Sequence, residues 1–140
     1  MRIAIRYFTK SKKGNTKKLA DRLSSKLGVE AKEVKEDLNE EVEALFLLNA
    51  MYAATIDKEV KTFLKRNKDK IKTLYNVSSS ASGSSTLKAV KKVAEKEGIS
   101  VSDKYYSTVA SWLALNKGRP NEEDLARLDK FAEEVTNSSI

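Results

Sequence analysis

At 140 residues, with 40% hydrophobic and 34% charged side chains, the chain has the length of one domain and enough apolar content to bury a core without covalent staples. It contains no cysteine and no histidine, which excludes disulfides, thiolate nucleophiles, thiol or imidazole metal sites and any triad built on an imidazole base. Chemistry has to come from a bound cofactor or from carboxylates, lysines and hydroxyls, and the net charge of +7 favours anionic ligands or acidic partners.

In chain order, residues 3–8 form a β-rich run that stops at a lysine-rich loop. The pattern then turns helical over residues 15–27, with Leu19, Leu23 and Leu27 at steps of four. Gly28 ends that helix, and residues 29–34 predict a short second strand before an acidic turn at 36–41, an abbreviated crossover. Residues 44–48 (ALFLL) lack polar alternation, as a strand covered on both faces does, and lead into the loop Asn49, Ala50, Met51, Tyr52, Ala53, Ala54.

A helix over residues 55–67 is predicted to bury Ile56, Val60, Phe63 and Leu64, and residues 71–77 read as a fourth strand. The serine-rich stretch 78–86 (SSSASGSST) has the composition of a flexible linker. Its flanks, a strand before and a helix over 86–97 after, make it a strand-to-helix loop instead, with Ser84 or Ser85 capping the helix. Residues 99–109 predict the fifth strand. After an irregular stretch through Trp112, Asn121 and Asp124 have the spacing of a capping box, and Leu125, Leu128, Phe131, Ala132 and Val135 form the buried stripe of a last helix.

Strands alternating with amphipathic helices predict one α/β domain over residues 1–140, a parallel sheet with helices on both faces. Ligands of such sheets lie beyond the carboxyl ends of the strands, so the candidate site is built from the loops at 9–16, 49–54 and 78–85. The opening MRIAIRYFTK lacks the cleavage site of a secretory signal, and the apolar stretch 44–54 is too short to span a bilayer. A cytoplasmic protein with no membrane association is expected. Nucleic acid is not the expected partner, because the aromatic residues fall mostly in apolar segments.

Thr9, Lys10, Ser11, Lys12, Lys13, Gly14, Asn15 and Thr16 join strand one to helix one, where free backbone N–H groups and the positive helix end create a seat for a phosphate. The loop lacks the glycine pair and Gly-Lys-Ser/Thr ending of a Walker loop and the G-x-G-x-x-G of a dinucleotide fingerprint. A monophosphate suits it better.

At these residues the chain resembles the flavodoxin family, whose phosphate loop commonly reads Ser/Thr-x-Thr-Gly-x-Thr; Ser11, Gly14, Asn15 and Thr16 match it, and Lys13 stands where threonine is usual. LFLLNAMYAATIDKEVKTFLKR is similar to the family's third strand, flavin loop and third helix, and KGRPNEEDLARLDKFAEEV to its closing helix. The resemblance covers essentially the whole chain. It implies a five-stranded parallel sheet of order 2-1-3-4-5 and FMN as cofactor, with Ser11, Asn15 and Thr16 holding the phosphate and Gly14 allowing close approach. Lys12 and Lys13 are either phosphate contacts or solvated loop lysines, and Tyr52 is either a stacker on the isoalloxazine or a core tyrosine.

The fourth-strand loop departs from the better-known members, which carry an aspartate and a stacking tyrosine there. Ser78, Ser79, Ser80 and Gly83 are left as candidates for the pyrimidine edge of the ring or for plain loop chemistry. Trp112 is a replacement stacker or a packing residue. Arg6, in a strand that should be apolar, needs a partner, for which Glu43 is the candidate.

The implied function is an electron carrier with an acidic-surfaced redox partner protein. The alternatives are an FMN-dependent NAD(P)H reductase of quinones or other small acceptors, and an FMN-free flavodoxin-fold module that binds an acidic partner.

Overall fold

The computed structural model describes residues 1–10, 14–50, 56–111 and 116–137. Strand β1 (Ile3–Tyr7) leads to α1 (Asn15–Leu27), β2 (Ala31–Glu33), β3 (Val42–Ala50), α2 (Lys58–Asn67) and a 3-10 turn (Lys68–Lys70). Then follow β4 (Ile71–Ser80), α3 (Leu87–Lys96), β5 (Ser100–Val101), β6 (Tyr106–Val109) and α4 (Glu122–Asn137). All strand pairs are parallel, in the order β2-β1-β3-β4-β5, with β6 also on β4.

Side-chain alternation along β3 divides the core between two layers. Leu45 and Leu47 face α2 and α3, where they pack with Val60, Phe63, Leu64, Leu74 and Val90. Ala44, Phe46 and Leu48 face α1 and α4, against Leu19, Leu23, Leu128 and Phe131. Phe46 anchors the second layer, stacked on Tyr75 at 5.6 Å and edge-on to Phe131 at 6.2 Å. Both layers are needed because a parallel strand has no solvent face to hide behind.

The helices begin and end where local chemistry dictates. Gly28 closes α1 at φ 67, a left-handed conformation in which its N–H donates to Ser24 O. Helix α2 starts three residues later than the periodicity suggests, because Asp57 Oδ1 accepts from Glu59 N at 2.9 Å and fixes the first turn there. Ser85 Oγ accepts from Leu87 N at 3.0 Å at the start of α3. At α4 the box closes both ways: Asp124 Oδ2 accepts from Asn121 N at 2.8 Å, and Asn121 Oδ1 accepts from Asp124 N at 3.0 Å.

Three sequence expectations are corrected. The predicted fifth strand is two strands, because Ser102 turns the chain: its Oγ accepts from Lys104 N at 3.0 Å, and Asp103 is drawn outward to Lys91 at 2.8 Å. Strand β4 runs on through Ser78, Ser79 and Ser80, because its backbone there lies between β3 and β6 and both ladders continue. Asn49 and Ala50 likewise close β3 instead of opening the loop.

Arg6 is the third. Its Nε donates to Glu36 O at 2.9 Å, Nη2 to Asp37 O at 3.1 Å and Nη1 to Ile5 O at 3.1 Å, so carbonyls of the β2–β3 turn hold it and Glu43 does not. Burial lowers its pKa, and Glu36, Glu30 and Asp37 oppose that shift.

Candidate functional site

Parallel strands and antiparallel-running helices place the exits of β1, β3, β4 and β6 at one edge of the sheet, together with the starts of α1 and α3. Gly14 precedes α1 at φ −53, ψ 133; as the N-cap residue it has no side chain with which to cap the first turn, which carries no acidic residue. The first intrahelical bond runs from Lys18 N to Gly14 O at 3.1 Å. Amides at a helix start without a side-chain cap, at the positive end of the macrodipole, form a seat for an anion. The backbone angles at Gly14 are open to any residue, so what glycine adds is the missing side chain.

The Asn15 side chain bridges two elements. Its Nδ2 donates to Ser111 O at 2.9 Å and its Oδ1 accepts from Ser111 Oγ at 3.4 Å, clasping the exit of β6 to the start of α1. That leaves its backbone N–H, one of the first-turn amides with no intrahelical acceptor, available to an anion. Around the loop, Lys10 pairs with Asp57 at 3.4 Å, Lys17 with Asp21 at 2.5 Å, and Lys18 Nζ donates to Pro120 O at 2.6 Å.

Beneath the site lies a buried polar triangle. Asn49 Nδ2 donates to Asn76 Oδ1 at 2.9 Å, Asn76 Nδ2 to Thr86 Oγ1 at 2.9 Å, and Thr86 Oγ1 to Asn49 Oδ1 at 2.5 Å. All three residues are essentially inaccessible. Thr86 N in turn donates to Ser78 Oγ at 3.3 Å, so the ends of β3 and β4 and the start of α3 are one bonded unit.

The turn that follows β4 is closed on itself. Ser80 Oγ donates to Ser84 O at 3.1 Å, Ser82 Oγ to Ser84 Oγ at 2.9 Å, and Gly83 N to Ser80 O at 3.2 Å. Gly83 sits at φ 82, and a Cβ there would meet Val109 Cγ2 at 3.2 Å, so only glycine fits without a shift. Asn116 Nδ2 donates to Ala81 O at 2.8 Å and ties the turn to the connection that follows β6.

Of the residues expected at the site, Thr9, Gly14, Asn15, Thr16, Asn49, Ala50, Ser78, Ser79, Ser80 and Gly83 lie at this edge. Ser78 and Ser79 are buried inside β4, and the Ser78 hydroxyl is occupied by Thr86. Ser11, Lys12, Lys13, Met51, Tyr52, Ala53 and Trp112 lie outside the described residues. The structure adds Ser111, Asn116, Asn76 and Thr86. An asparagine in the apolar run of β4 was the signal for Asn76; Ser111 and Asn116 carry no local signal.

Among the described residues, the carboxylates whose pKa is held down are Asp37, Asp103, Asp124 and Asp129, each ion-paired on or beside a helix. No group of acidic residues there fits a metal ion, and no helix is long and apolar enough to cross a membrane.

A doubly wound parallel sheet of order 2-1-3-4-5 with helices on both faces defines the flavodoxin-like α/β class. The sequence model of the flavodoxin domain matches residues 7–133, and the chain belongs to the flavodoxin family. No curated protein sequence matches it significantly.

Solved structures similar to it include a flavodoxin from the domain Archaea, at TM-score 0.75 and 14% identity over 99% of this chain and 98% of that one. A short-chain flavodoxin associated with a non-canonical PDU bacterial microcompartment aligns at TM-score 0.72 and 17% identity over 100% of both chains. An NADH:FMN oxidoreductase in its apo form aligns at TM-score 0.62 and 15% identity, over 97% of this chain and 88% of that one. At these identities the likeness is one of fold.

Proposed function

We propose that the chain is a cytoplasmic FMN-binding electron carrier whose redox partner is a protein with an acidic surface. Membership of the flavodoxin family supports a flavin cofactor. The observation that supports FMN in particular is the start of α1, where glycine, with no side chain to cap the helix, precedes a first turn that carries no acidic residue. A phosphate needs that arrangement, and a riboflavin without one does not.

The residues present fit the group. The backbone N–H groups of Asn15 and Thr16 and the Ser11 hydroxyl would hold the phosphate, with Lys12 and Lys13 beside it. Tyr52 would supply an aromatic face for the ring, and the turn at Ser80, Ser82 and Gly83 would meet its polar edge by exchanging some of its internal hydrogen bonds for bonds to the ring. FMN, when bound, supplies one- and two-electron redox chemistry; the protein positions it and sets its electrostatic surroundings.

Titration of flavin-free protein with FMN and with riboflavin, followed by loss of flavin fluorescence, tests the reading. FMN is expected to bind at least about tenfold more tightly, a difference of about 1.4 kcal/mol. Equal affinities would show that the loop does not read the phosphate, and no binding of either would leave an FMN-free module that binds an acidic partner.

One feature favours a second reading, an FMN-dependent NAD(P)H reductase of quinones or other small acceptors. The turn after β4 contains only Ser80, Ala81, Ser82, Gly83 and Ser84, with no aromatic residue to cover a ring face. Rapid bleaching of the bound flavin by NADPH without a partner protein would select it over the carrier.

A further inference from the structure

Helices α2 and α3 cover one face of the sheet without closing on each other. Between them runs a groove of about 540 Å³ whose apolar lining is Ile56, Ala89 and Val93 and whose rims carry Lys61 and Lys65 on one side and Lys92 and Lys96 on the other; its one acidic residue among those described, Glu97, pairs with Lys68 at 4.0 Å. All four lysines are exposed, and among the described residues none has a carboxylate partner. Each pair sits four residues apart on its helix, where like charges repel and weaken the helix. Residues 56–70 and 86–97 together hold ten basic and five acidic side chains, which account for five of the seven net positive charges of the chain.

The other helical face is built in the opposite way. There Arg22 pairs with Asp129 at 2.7 Å, Lys26 with Glu133 at 2.6 Å and Lys17 with Asp21 at 2.5 Å. Helices α2 and α3 have pairs of their own, Arg66 with Asp37 and Lys91 with Asp103 at 2.8 Å, but these leave the four rim lysines of the apolar groove with no carboxylate among the described residues. Folding gains nothing from that arrangement.

We infer that the groove between α2 and α3 is a docking site for an acidic, partly apolar segment of a partner protein, its carboxylates on the two lysine rims and its apolar side chains on Ile56, Ala89 and Val93. Charge complementarity argues for an acidic occupant. The lining argues for protein and against nucleic acid, because it offers no aromatic or arginine platform on which bases stack. The groove opens beside Ile56, at the end of the molecule where β3 exits and α2 begins, so a segment seated there lies next to the candidate cofactor site. The inference locates the acidic partner of the proposed carrier and rests on that reading only for the partner's role; the groove itself needs no flavin.

The test uses flavin-free full-length protein, so that a failure of flavin binding has no bearing on it. A synthetic amphipathic peptide with glutamate at every third or fourth position and leucine between is titrated into isotope-labelled protein and followed by amide chemical shifts. The expected result is saturable shifts concentrated on α2 and α3, with at least about tenfold weaker binding for Lys61→Glu/Lys92→Glu and no such loss for Lys130→Glu, an exposed lysine on α4. A peptide with glutamine for glutamate should fail to bind.

Shifts spread over the whole surface, or equal losses in both variants, would reduce the groove to nonspecific attraction and overturn the inference. A single-stranded oligonucleotide that bound the same residues more tightly than the peptide would overturn it in favour of nucleic acid. Should Lys61→Glu/Lys92→Glu misfold by circular dichroism, Lys65→Gln/Lys96→Gln carries the same comparison.

Discussion

An asparagine side chain brings two donors and two acceptor lone pairs into the sheet interior, and Asn49 and Asn76 can be buried only because Thr86 completes their bonding. Thr86→Val keeps the shape and removes the hydroxyl that accepts from one asparagine and donates to the other. Two buried groups are then stranded, and a loss of about 2–4 kcal/mol is expected in urea unfolding, with an unchanged slope. A change under about 0.5 kcal/mol would mean that water replaces the hydroxyl. At this scale the sequence displays which polar residues are odd but not what satisfies them. Arg6 stood out in an apolar strand, yet its partners are carbonyls of Glu36 and Asp37, and backbone oxygens leave no trace in a residue pattern. Asn15 likewise matched a phosphate motif, while its side chain reaches Ser111, 96 residues away.

Helix α4 shows how an element's start is written and reinforced by its immediate neighbours in sequence. Asp124 closes the capping box that the Asn121 spacing announces, and it also bonds Arg119 at 2.7 Å and pairs with Arg127. The Arg119 guanidinium, the Asn121 N–H and the charge of Arg127 hold its carboxyl down to about 2, against burial. Because the folded value lies below the ordinary 3.8, the stabilisation is complete above that value and is lost as pH falls towards 2. Asp124→Asn is therefore expected to cost about 2 kcal/mol at neutral pH, with the gap to wild type closing across that acid window in denaturation at stepped pH. The strands were less legible than the helices. Residues 99–109 are rich in β-formers at both ends, and the break between β5 and β6 depends on the Ser102 turn and the Lys91–Asp103 pair. Serines 78–80 have loop composition, but two flanking strands hold them in the ladder, an effect of neighbours remote in sequence. The turn after β4 then depends on Gly83: Gly83→Ala meets both positive φ and Val109, and a loss of about 1–2 kcal/mol in thermal or urea unfolding is expected.

Across the whole molecule, the distribution of charge matters more than its total. Composition alone places five lysines around the phosphate loop, Lys10, Lys12, Lys13, Lys17 and Lys18, and suggests a strongly positive setting for a bound flavin. Among the described members of that group, Lys10 and Lys17 pair with Asp57 and Asp21, and Lys18 bonds the Pro120 carbonyl with no carboxylate beside it. A charge and its neighbouring counter-charge nearly cancel at a distance, so Lys10 and Lys17 contribute less to the field at the site than their number suggests. On the proposed function, positive charge near the ring stabilises the reduced, more anionic flavin and raises its reduction potential. For a screened interaction of about 0.5–1 kcal/mol, Lys12→Gln/Lys13→Gln should lower the potential by roughly 20–40 mV, less at high salt. Lys17→Gln/Asp21→Asn, which removes a compensated pair, should move it by much less. Potentiometric titration of the FMN-loaded variants at two ionic strengths distinguishes these outcomes. Equal shifts from both double variants would show that pairing does not screen the site, and no shift from either would show that the lysine loop does not set the potential.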